Sequence, residues 1–446
     1  MRYVADVPYT RRFFKELTPA WLDFTALICG FEPPRRDGGF HWCELGCGQG
    51  VSAALLAATH PAAHVFAIDM MPEHIAYGER LCRDAGIANA TFLALDFAAA
   101  DRREMPRFDY IVAHGVYTWV DETAKADLRR FIHRNLKPGG LVYLSYNSQP
   151  GWAADMPVQH LLAAFAERAE GDGLARFAEA DRRVGALAEA GAHGLRDGRI
   201  GSDWQRLRET LPPAYFPHEF LVPWRPIAVT EMRRDMASIG LTPIGSATIR
   251  ENVDPYMLHP KAREALAEFR DPDTRELVRD HFLAKQFRRD VFGLQPRRLN
   301  ENLSRRLLAE ACYMLSKPPV SEDYTMTTDA GTVRFDNPVV RRILEFLSAG
   351  PRSLTQLLDE GHSIGDLVAN ILVLAAAERI RPVAPDPVPV TSVNTVLQGR
   401  MDGPEALSFL ALPNGTALEL TEGQIRQLQD RNALPAELVD WSGLSA

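Results

Sequence analysis

Residues 40–50 read FHWCELGCGQG, and few local structures accept that order of side chains. An apolar stretch ends in an acid, Glu44, and runs into Gly46, Gly48 and Gly50 before a run of small residues that starts at Val51. Glycine turns sharply at little cost and lacks the Cβ that would hold a ligand off the main chain. The pattern predicts a strand, a tight turn and a helix, the opening unit of a nucleotide-binding α/β sheet. A dinucleotide fingerprint, G-x-G-x-x-G, needs its third glycine where Val51 stands, so this loop does not match a pyrophosphate site. Taken alone, such a turn is also an ordinary strand-to-helix connection.

The downstream order adds to the loop. Residues 64–68 (HVFAI) predict a second strand ending at Asp69, about twenty residues past the glycines, where such folds set a carboxylate against ribose hydroxyls. Two acceptor oxygens suit two vicinal hydroxyls. A third strand at 90–95 (ATFLAL) ends in Asp96 and Phe97, and a fourth at 108–113 (FDYIVA) leads into His114, Gly115, Val116, Tyr117, Thr118 and Trp119. A fifth at 141–146 follows the turn Lys137-Pro138-Gly139-Gly140. Each strand carries a polar residue at its carboxyl end, the edge where open α/β sheets bind ligands. Asp69 or Asp96 alone would equally be a solvated turn or a helix N-cap.

A chain of 446 residues exceeds one ordinary core and predicts two or three domains. The hydrophobic share of 46% and charged share of 24% are those of a globular protein. Neither a signal-peptide core nor an apolar run of bilayer length is present, so a cytoplasmic protein without membrane insertion is expected. Cys29, Cys43, Cys47, Cys82 and Cys312 form no C-x-x-C pair, which predicts reduced thiols and no metal site. Of these, Cys47 lies inside the glycine loop. A net charge of -8 argues against broad nucleic-acid binding.

Patterning divides the chain into segments 1–152, 153–214, 215–295, 296–385 and 386–446. Apolar spacing predicts a helix over 11–30. Residues 156–211 read as helices without a strand, and 216–222, 229–239 and 242–249 then read as strand, helix and strand. We expect 216–249 to complete the sheet, with the preceding helices inserted either as a lid over its ligand edge or as an independent helical domain. Residues 325–335 predict a hairpin turning at Asp329-Ala330-Gly331, followed by helices at 338–348, 353–358 and 363–377 and a strand at 379–383. This order resembles a winged helix, but its third helix carries Asp366 and no Lys or Arg. Protein packing is therefore expected of it rather than a DNA groove. Pro382, Pro385, Pro387 and Pro389 predict a stiff linker to a tail without an assignable pattern.

The run ELGCGQG resembles the E/D-x-G-x-G-x-G signature of class I methyltransferases that use S-adenosylmethionine. That resemblance implies a Rossmann-like α/β class I methyltransferase sheet with a helical insertion, followed by a winged-helix-like α+β carboxyl-terminal domain. It also implies S-adenosylmethionine held by Glu44, Gly46, Gly48, Gly50, Asp69, Met70, Asp96, Phe97 and His114, with Asp96 on the adenine amine and Phe97 against its ring. Such a donor is already activated, so the protein must align a lone pair and exclude water, and no triad or metal is required. Candidate acceptor-site residues follow the fourth and fifth strands: His114, Tyr117, Trp119, Tyr146, Asn147, Gln149, Pro150, Gly151 and Trp152. Aromatic rings with amide and hydroxyl neighbours suit a nitrogen nucleophile. A lysine must lose a proton of pKa ~10.4, at a cost of about 4 to 5 kcal/mol at neutral pH. An apolar aromatic pocket lowers that cost. His114 is either the proton acceptor or a hydrogen-bonded structural residue.

Residues 108–120 (FDYIVAHGVYTWV) and 146–152 (YNSQPGW) are similar to bacterial methyltransferases with an associated regulatory domain. Residues 215–252 and 285–292 (KQFRRDVF) resemble that regulatory domain. From residue 2 to about 383 the order is similar to the rickettsial-type protein lysine methyltransferases, which modify an outer-membrane protein and end in a winged helix. The resemblance implies a protein lysine as acceptor. A small metabolite as acceptor, or a non-catalytic S-adenosylmethionine-sensing scaffold, are the alternatives.

Overall fold

The computed structural model describes residues 7, 11–36, 38–195, 213, 215–222, 224–317, 323–402 and 406–431. Five strands follow one another through the first part of the chain: β1 (His41–Leu45), β2 (His64–Asp69), β3 (Ala90–Ala94), β4 (Phe108–Ala113) and β5 (Leu136–Asn147). They pair in parallel in the order β3-β2-β1-β4-β5. Between them run helices α1 (Pro19–Ile28, before β1), α2 (Val51–Thr59), α3 (Pro72–Asp84), α4 (Phe97–Arg102) and α5 (Glu122–Asn135). Successive strand side chains point to opposite faces. Trp42, Val65, Tyr110 and Tyr143 therefore pack with α1, α2 and α3, while Cys43, Ile68, Ile111 and Val142 pack with α5. All six residues of β4 are buried, as a central strand covered on both faces requires.

The helix expected over 11–30 begins only at Pro19, after a single turn at Lys15–Leu17. A proline lacks the N–H that a helix interior needs and is tolerated in the first turn. Helix α1 is buried from Trp21 to Leu27, all round its circumference, because it lies between the sheet and the carboxyl-terminal part of the chain. Trp21 Nε1 donates to the Ala247 carbonyl at 2.7 Å, and Ser304 Oγ donates to the Leu27 carbonyl at 2.7 Å.

After β5 come α6 (Met156–Ala166), α7 (Gly173–Glu189) and α8 (Tyr215–Phe220), packed around Trp152, Leu162, Phe177, Phe216 and Trp224. The expected helical span reaches 211, and residues 196–211 lie outside the described set. Residues 216–222, expected as a strand, are largely helix. Phe216 and Phe220 stand four apart on one helical face and both meet Phe177, at 5.3 and 6.4 Å. The strand expected over 242–249 is present, and with a second strand that was not expected it completes the sheet. After α9 (Val229–Ala237), β6 (Leu241–Ser246) forms the outer edge. Helices α10 (Asp254–Met257), α11 (Pro260–Ala267) and α12 (Pro272–Phe282) precede β7 (Phe287–Leu294), which runs antiparallel between β5 and β6. The sequence reading did not identify β7, because Arg288, Arg289 and Asp290 look like a solvated stretch.

The carboxyl-terminal part begins with α13 (Glu301–Glu310) and β8 (Cys312–Leu315). The hairpin β9 (Thr325–Thr328) and β10 (Gly331–Arg334) turns where expected. Then follow α14 (Pro338–Ser348), β11 (Arg352–Ser353), α15 (Thr355–Asp359), α16 (Ile364–Ala376) and β12 (Ile380–Val383), with β11, β8 and β12 forming one sheet. Pro382 belongs to β12, opposite Tyr313, and not to a linker. The tail has its own elements: α17 (Thr391–Gln398), the hairpin β13 (Phe409–Leu412) and β14 (Thr416–Glu419), and α18 (Glu422–Arg431). It folds back on α2 and α3, with the Arg400 guanidinium on Asp84 and 5.3 Å from the Tyr77 ring. No helix among the described residues is long and apolar enough to cross a membrane.

Buried Asn394 fastens this tail by donating to the Ala411 carbonyl at 3.0 Å and accepting from the Ala411 N–H at 2.7 Å. Asn394→Ala leaves both backbone groups unpaired, so a loss of about 1–3 kcal/mol is expected in urea unfolding. An unchanged transition would show that the hairpin does not depend on this pair.

Candidate active site

The turn from β1 into α2 is strapped to the end of β2. Gly46 and Cys47 N–H groups both donate to the Ile68 carbonyl, at 2.8 and 3.0 Å, and the Gly48 N–H donates to Asp69 Oδ2 at 2.9 Å. The other Asp69 oxygen accepts from the Met71 N–H at 2.9 Å and lies 3.3 Å from His74 Nδ1. The motif glycines do different work. A Cβ on Gly50 would meet the Phe92 ring at 2.3 Å, so this glycine seats α2 against β3. Gly48, with φ of +55°, faces open space where nothing lies within 4 Å of an added Cβ.

That space belongs to a cavity of about 390 Å³ at the carboxyl edge of the strands. Glu44, Gly46, Gly48, Gly50, Asp69, Met70, Asp96, Phe97, His114 and Trp119 all line it. Glu44 is buried, and its Oε2 has no hydrogen-bond partner among the described residues. Burial, and then the charge of Asp69, push its carboxyl up to about 8. Asp96 caps α4 by accepting from the Ala99 N–H at 2.7 Å, so it serves as an N-cap while also facing the cavity. Met70 is 62% exposed, a large apolar side chain at the cavity wall.

His114 stacks on Phe14, with ring centres 3.8 Å apart. Its Nδ1 lies 2.9 Å from the Tyr143 hydroxyl and 3.1 Å from Ser145 Oγ. Burial, assisted by the Arg289 cation, pushes the imidazole down to about 3 and keeps it neutral at ordinary pH. A neutral ring with Nδ1 engaged by hydroxyls is built to hold position.

Of the nine expected acceptor-site residues only His114 and Trp119 line the cavity; Gln149, Pro150 and Gly151 do not, and the other four are held elsewhere by identifiable partners. The Tyr117 hydroxyl donates to Asp235 and accepts from Arg129 Nη1 at 2.7 Å, tying the segment after β4 to α5 and α9. The Tyr146 hydroxyl donates to Asp290 at 2.6 Å, in a buried cluster centred on Arg288. Asn147 is buried, and its carbonyl accepts from the Ile227 N–H at 3.1 Å. Trp152 sits edge-on to Trp224, with centres 4.9 Å apart, in the core of the helical insertion. Proximity to a strand's carboxyl end did not disclose which face each side chain takes.

Other wall residues lie outside the candidate set named from the sequence. Arg11, Arg12 and Phe14 reach the cavity from the segment before α1, where the aromatic pair Phe13-Phe14 was the available signal. His218, Glu219 and Val222 come from α8 and the turn after it, in the segment expected as a strand. Burial pushes the Glu219 carboxyl up to about 8.

Residues 36–180 match the model of a methyltransferase domain, and residues 212–293 match that of a predicted methyltransferase regulatory domain. An uncharacterized protein of Synechocystis sp. is 28% identical over 458 residues, covering 100% of this chain and 90% of that protein. An uncharacterized protein of Rickettsia prowazekii is 30% identical over 162 residues, 36% of this chain and 64% of that one. The structure of PKMT2 from Rickettsia typhi in complex with AdoHcy matches with a TM-score of 0.72 at 17% identity, covering 95% of this chain and 88% of that chain. A second structure of PKMT2 matches at 0.70 over 95% of this chain. At such identity the likeness speaks for the fold, a seven-stranded Rossmann-like sheet with helices.

The raised Glu44 carboxyl has a consequence for stability. Its folded value of about 8 lies above the ordinary 4.5, so the folded state keeps a proton that the unfolded state has released. That contribution is complete below 4.5 and is lost as pH rises through about 8. The ligand-free protein should therefore lose stability from pH 5 to 8.5, and Glu44→Gln should flatten the slope by at most about 1.4 kcal/mol per pH unit. Urea midpoints across that range measure it; identical slopes would contradict the burial assigned to Glu44.

Proposed function

We propose that this class I S-adenosylmethionine-dependent methyltransferase transfers the methyl group to the side-chain nitrogen of a protein lysine. The observation that carries the reading is the cavity wall, where Trp119 and Glu219, a carboxyl without a partner among the described residues, lie on the same space as the glycine loop. Support comes from the likeness to PKMT2 over 95% of this chain.

The residues present fit the cofactor. The volume of about 390 Å³ is that of a small-molecule site. Glu44 Oε2 offers an acceptor to a ligand ammonium or hydroxyl, and the missing Cβ of Gly48 lets a ligand reach the main chain. Asp69, already fixed by the Gly48 and Met71 N–H groups, would take the ribose hydroxyls. Asp96, Phe97 and Met70 would hold the adenine end. When bound, the cofactor supplies a methyl group on a sulfonium, with a neutral thioether as leaving group. The chain's share is to align the acceptor and exclude water. Phe14 and Trp119 wall the site, and His114 holds Tyr143 and Ser145 in place.

Helices α6 and α7 back α8, which suits a lid formed by segment 153–214. We read the carboxyl-terminal elements as a winged-helix-like module used for protein packing. Helix α16 lies against α13, α14 and the turn Ile249–Asn252, which supports that use over DNA binding. Five free thiols suit a cytoplasmic setting. One feature favours a small acceptor instead: α8 closes the insertion side of the cavity.

Transfer of tritiated methyl into host lysate, separated by size, tests the acceptor. Label in protein is expected; label confined to small molecules would establish the metabolite reading. Asp69→Ala and Gly48→Val should each abolish S-adenosylmethionine binding in calorimetry while the protein stays folded. Normal binding by either variant would overturn the assigned cofactor site. Trp119→Ala should lower transfer roughly tenfold or more with little change in cofactor affinity. Lost affinity with normal turnover would place Trp119 on the cofactor side.

A further inference from the structure

Helix α8 brings two ionisable side chains to the cavity wall, and their partners separate them. His218 Nε2 meets the Val7 carbonyl at 2.8 Å. Glu219 as a residue is 8% exposed, and no described residue hydrogen-bonds or ion-pairs with its carboxyl. Its main chain, by contrast, is held: the Glu219 carbonyl accepts from Trp224 Nε1 at 2.8 Å. Trp224 in turn packs between Trp119, at 5.2 Å, and Trp152, at 4.9 Å. Glu219 is thus fastened through one indole to Trp119, which lines the same cavity. A buried carboxyl without a partner costs free energy, and at a cavity wall a ligand can supply the partner. A carboxylate together with an aromatic face is the pairing that recognises an alkylammonium.

We propose that Glu219, with Trp119 as its aromatic wall, forms the acceptor subsite, pairing with the ammonium of a primary amine and taking its proton before transfer. The proposal rests on the lysine reading and adds that the acceptor must arrive as a cation. Arrival of the cation favours the ionised form of Glu219, whose own proton leaves to solvent; the proton then passes from R–NH3⁺ to the Glu219 carboxylate, leaving R–NH2 and a neutral carboxylic acid. The nitrogen lone pair then forms the N–CH3 bond as the S–CH3 electron pair goes to sulfur, and the product is R–NH2⁺–CH3 with a thioether. Burial raises Glu219 to about 8 and so brings its proton affinity nearer to that of the amine. Glu44, the other raised carboxyl on the wall, lies in the glycine loop and is left for the cofactor.

The test uses the full chain saturated with S-adenosylhomocysteine. Titrating n-butylammonium chloride should quench tryptophan fluorescence saturably, whereas n-butanol should not. Glu219→Gln should weaken n-butylammonium binding by about tenfold or more, while its S-adenosylhomocysteine affinity by calorimetry stays within about threefold of wild type. The proposal falls if wild type binds n-butanol as well as n-butylammonium. It also falls if Glu219→Gln binds the amine normally or loses S-adenosylhomocysteine instead. The amine titration does not depend on protein transfer, so wild type that labels no protein but shows Glu219-dependent amine binding removes the lysine reading and keeps the subsite. Protein labelled equally fast by wild type and Glu219→Gln removes the subsite and keeps the lysine reading.

Discussion

Strand β7 must enter the sheet between β5 and β6, and much of the molecule is arranged around that requirement. Asn147 at the end of β5 stands directly opposite Phe287 at the start of β7. The chain therefore leaves β5 and, after contributing β6 to the outer edge, starts β7 at one register pair, over the carboxyl edge of the parallel strands. Arg288 secures the register. Its guanidinium donates to Asp290 at 3.0 and 3.1 Å, to Glu276 at 2.8 Å and to Asp280, while Tyr146 of β5 donates to Asp290. Although burial opposes ionisation of Glu276, Arg288, Arg279 and Arg233 pull its carboxyl down to about 2. A buried cluster of this kind is costly to break, because any lost partner leaves a desolvated charge. A one-residue slip of β7 would turn Arg288 to the other face of the sheet. The segment that matches the regulatory-domain model consequently supplies strands to the same sheet as the glycine loop and is not an appendage to it.

The same return path creates one wall of the cavity. Because the chain comes back above the strand ends, α8 lies there and supplies His218 and Glu219. The opposite side belongs to local structure, the glycine loop held by the Ile68 carbonyl and Asp69. The cavity thus joins a preformed loop to a wall delivered by a long insertion. Its two raised carboxyls, Glu44 and Glu219, leave polar capacity for ligands at some expense in stability.

Helix α1 and the tail attach the carboxyl-terminal part from two directions. Helix α1 is buried against both the sheet and α13, and Phe24 meets Tyr313 edge-on at 5.9 Å. The tail hairpin reaches α2, where a Cβ on Gly415 would lie 2.6 Å from the His60 ring. The helix that carries the glycine loop is therefore pinned from behind by the last part of the chain.

Local constraints were legible in the sequence. Strands β1 to β4 and the start of α2 follow from period-two apolar runs and from glycines that no other residue replaces without strain or collision. The residues gathered around the loop, Glu44, Gly48, Asp69, Asp96 and Phe97, fall at strand ends and so reach one edge by topology alone. The fifth strand was only partly legible, since its first turn reads as a Pro-Gly-Gly loop. Other features depended on partners distant in sequence. Residues 287–294 are a buried strand because Asp280 and Glu276 neutralise Arg288, and 215–220 are a helix because Phe177 waits for Phe216 and Phe220. Tyr117, Tyr146 and Trp152 were drawn out of the cavity by Asp235, Asp290 and Trp224. By itself the sequence determined the loop, the parallel strands and the edge where a ligand binds, since these follow from period and backbone freedom. Tertiary structure alone decided which side chains face the cavity at that edge, because each choice is set by a partner that the chain reaches only after folding.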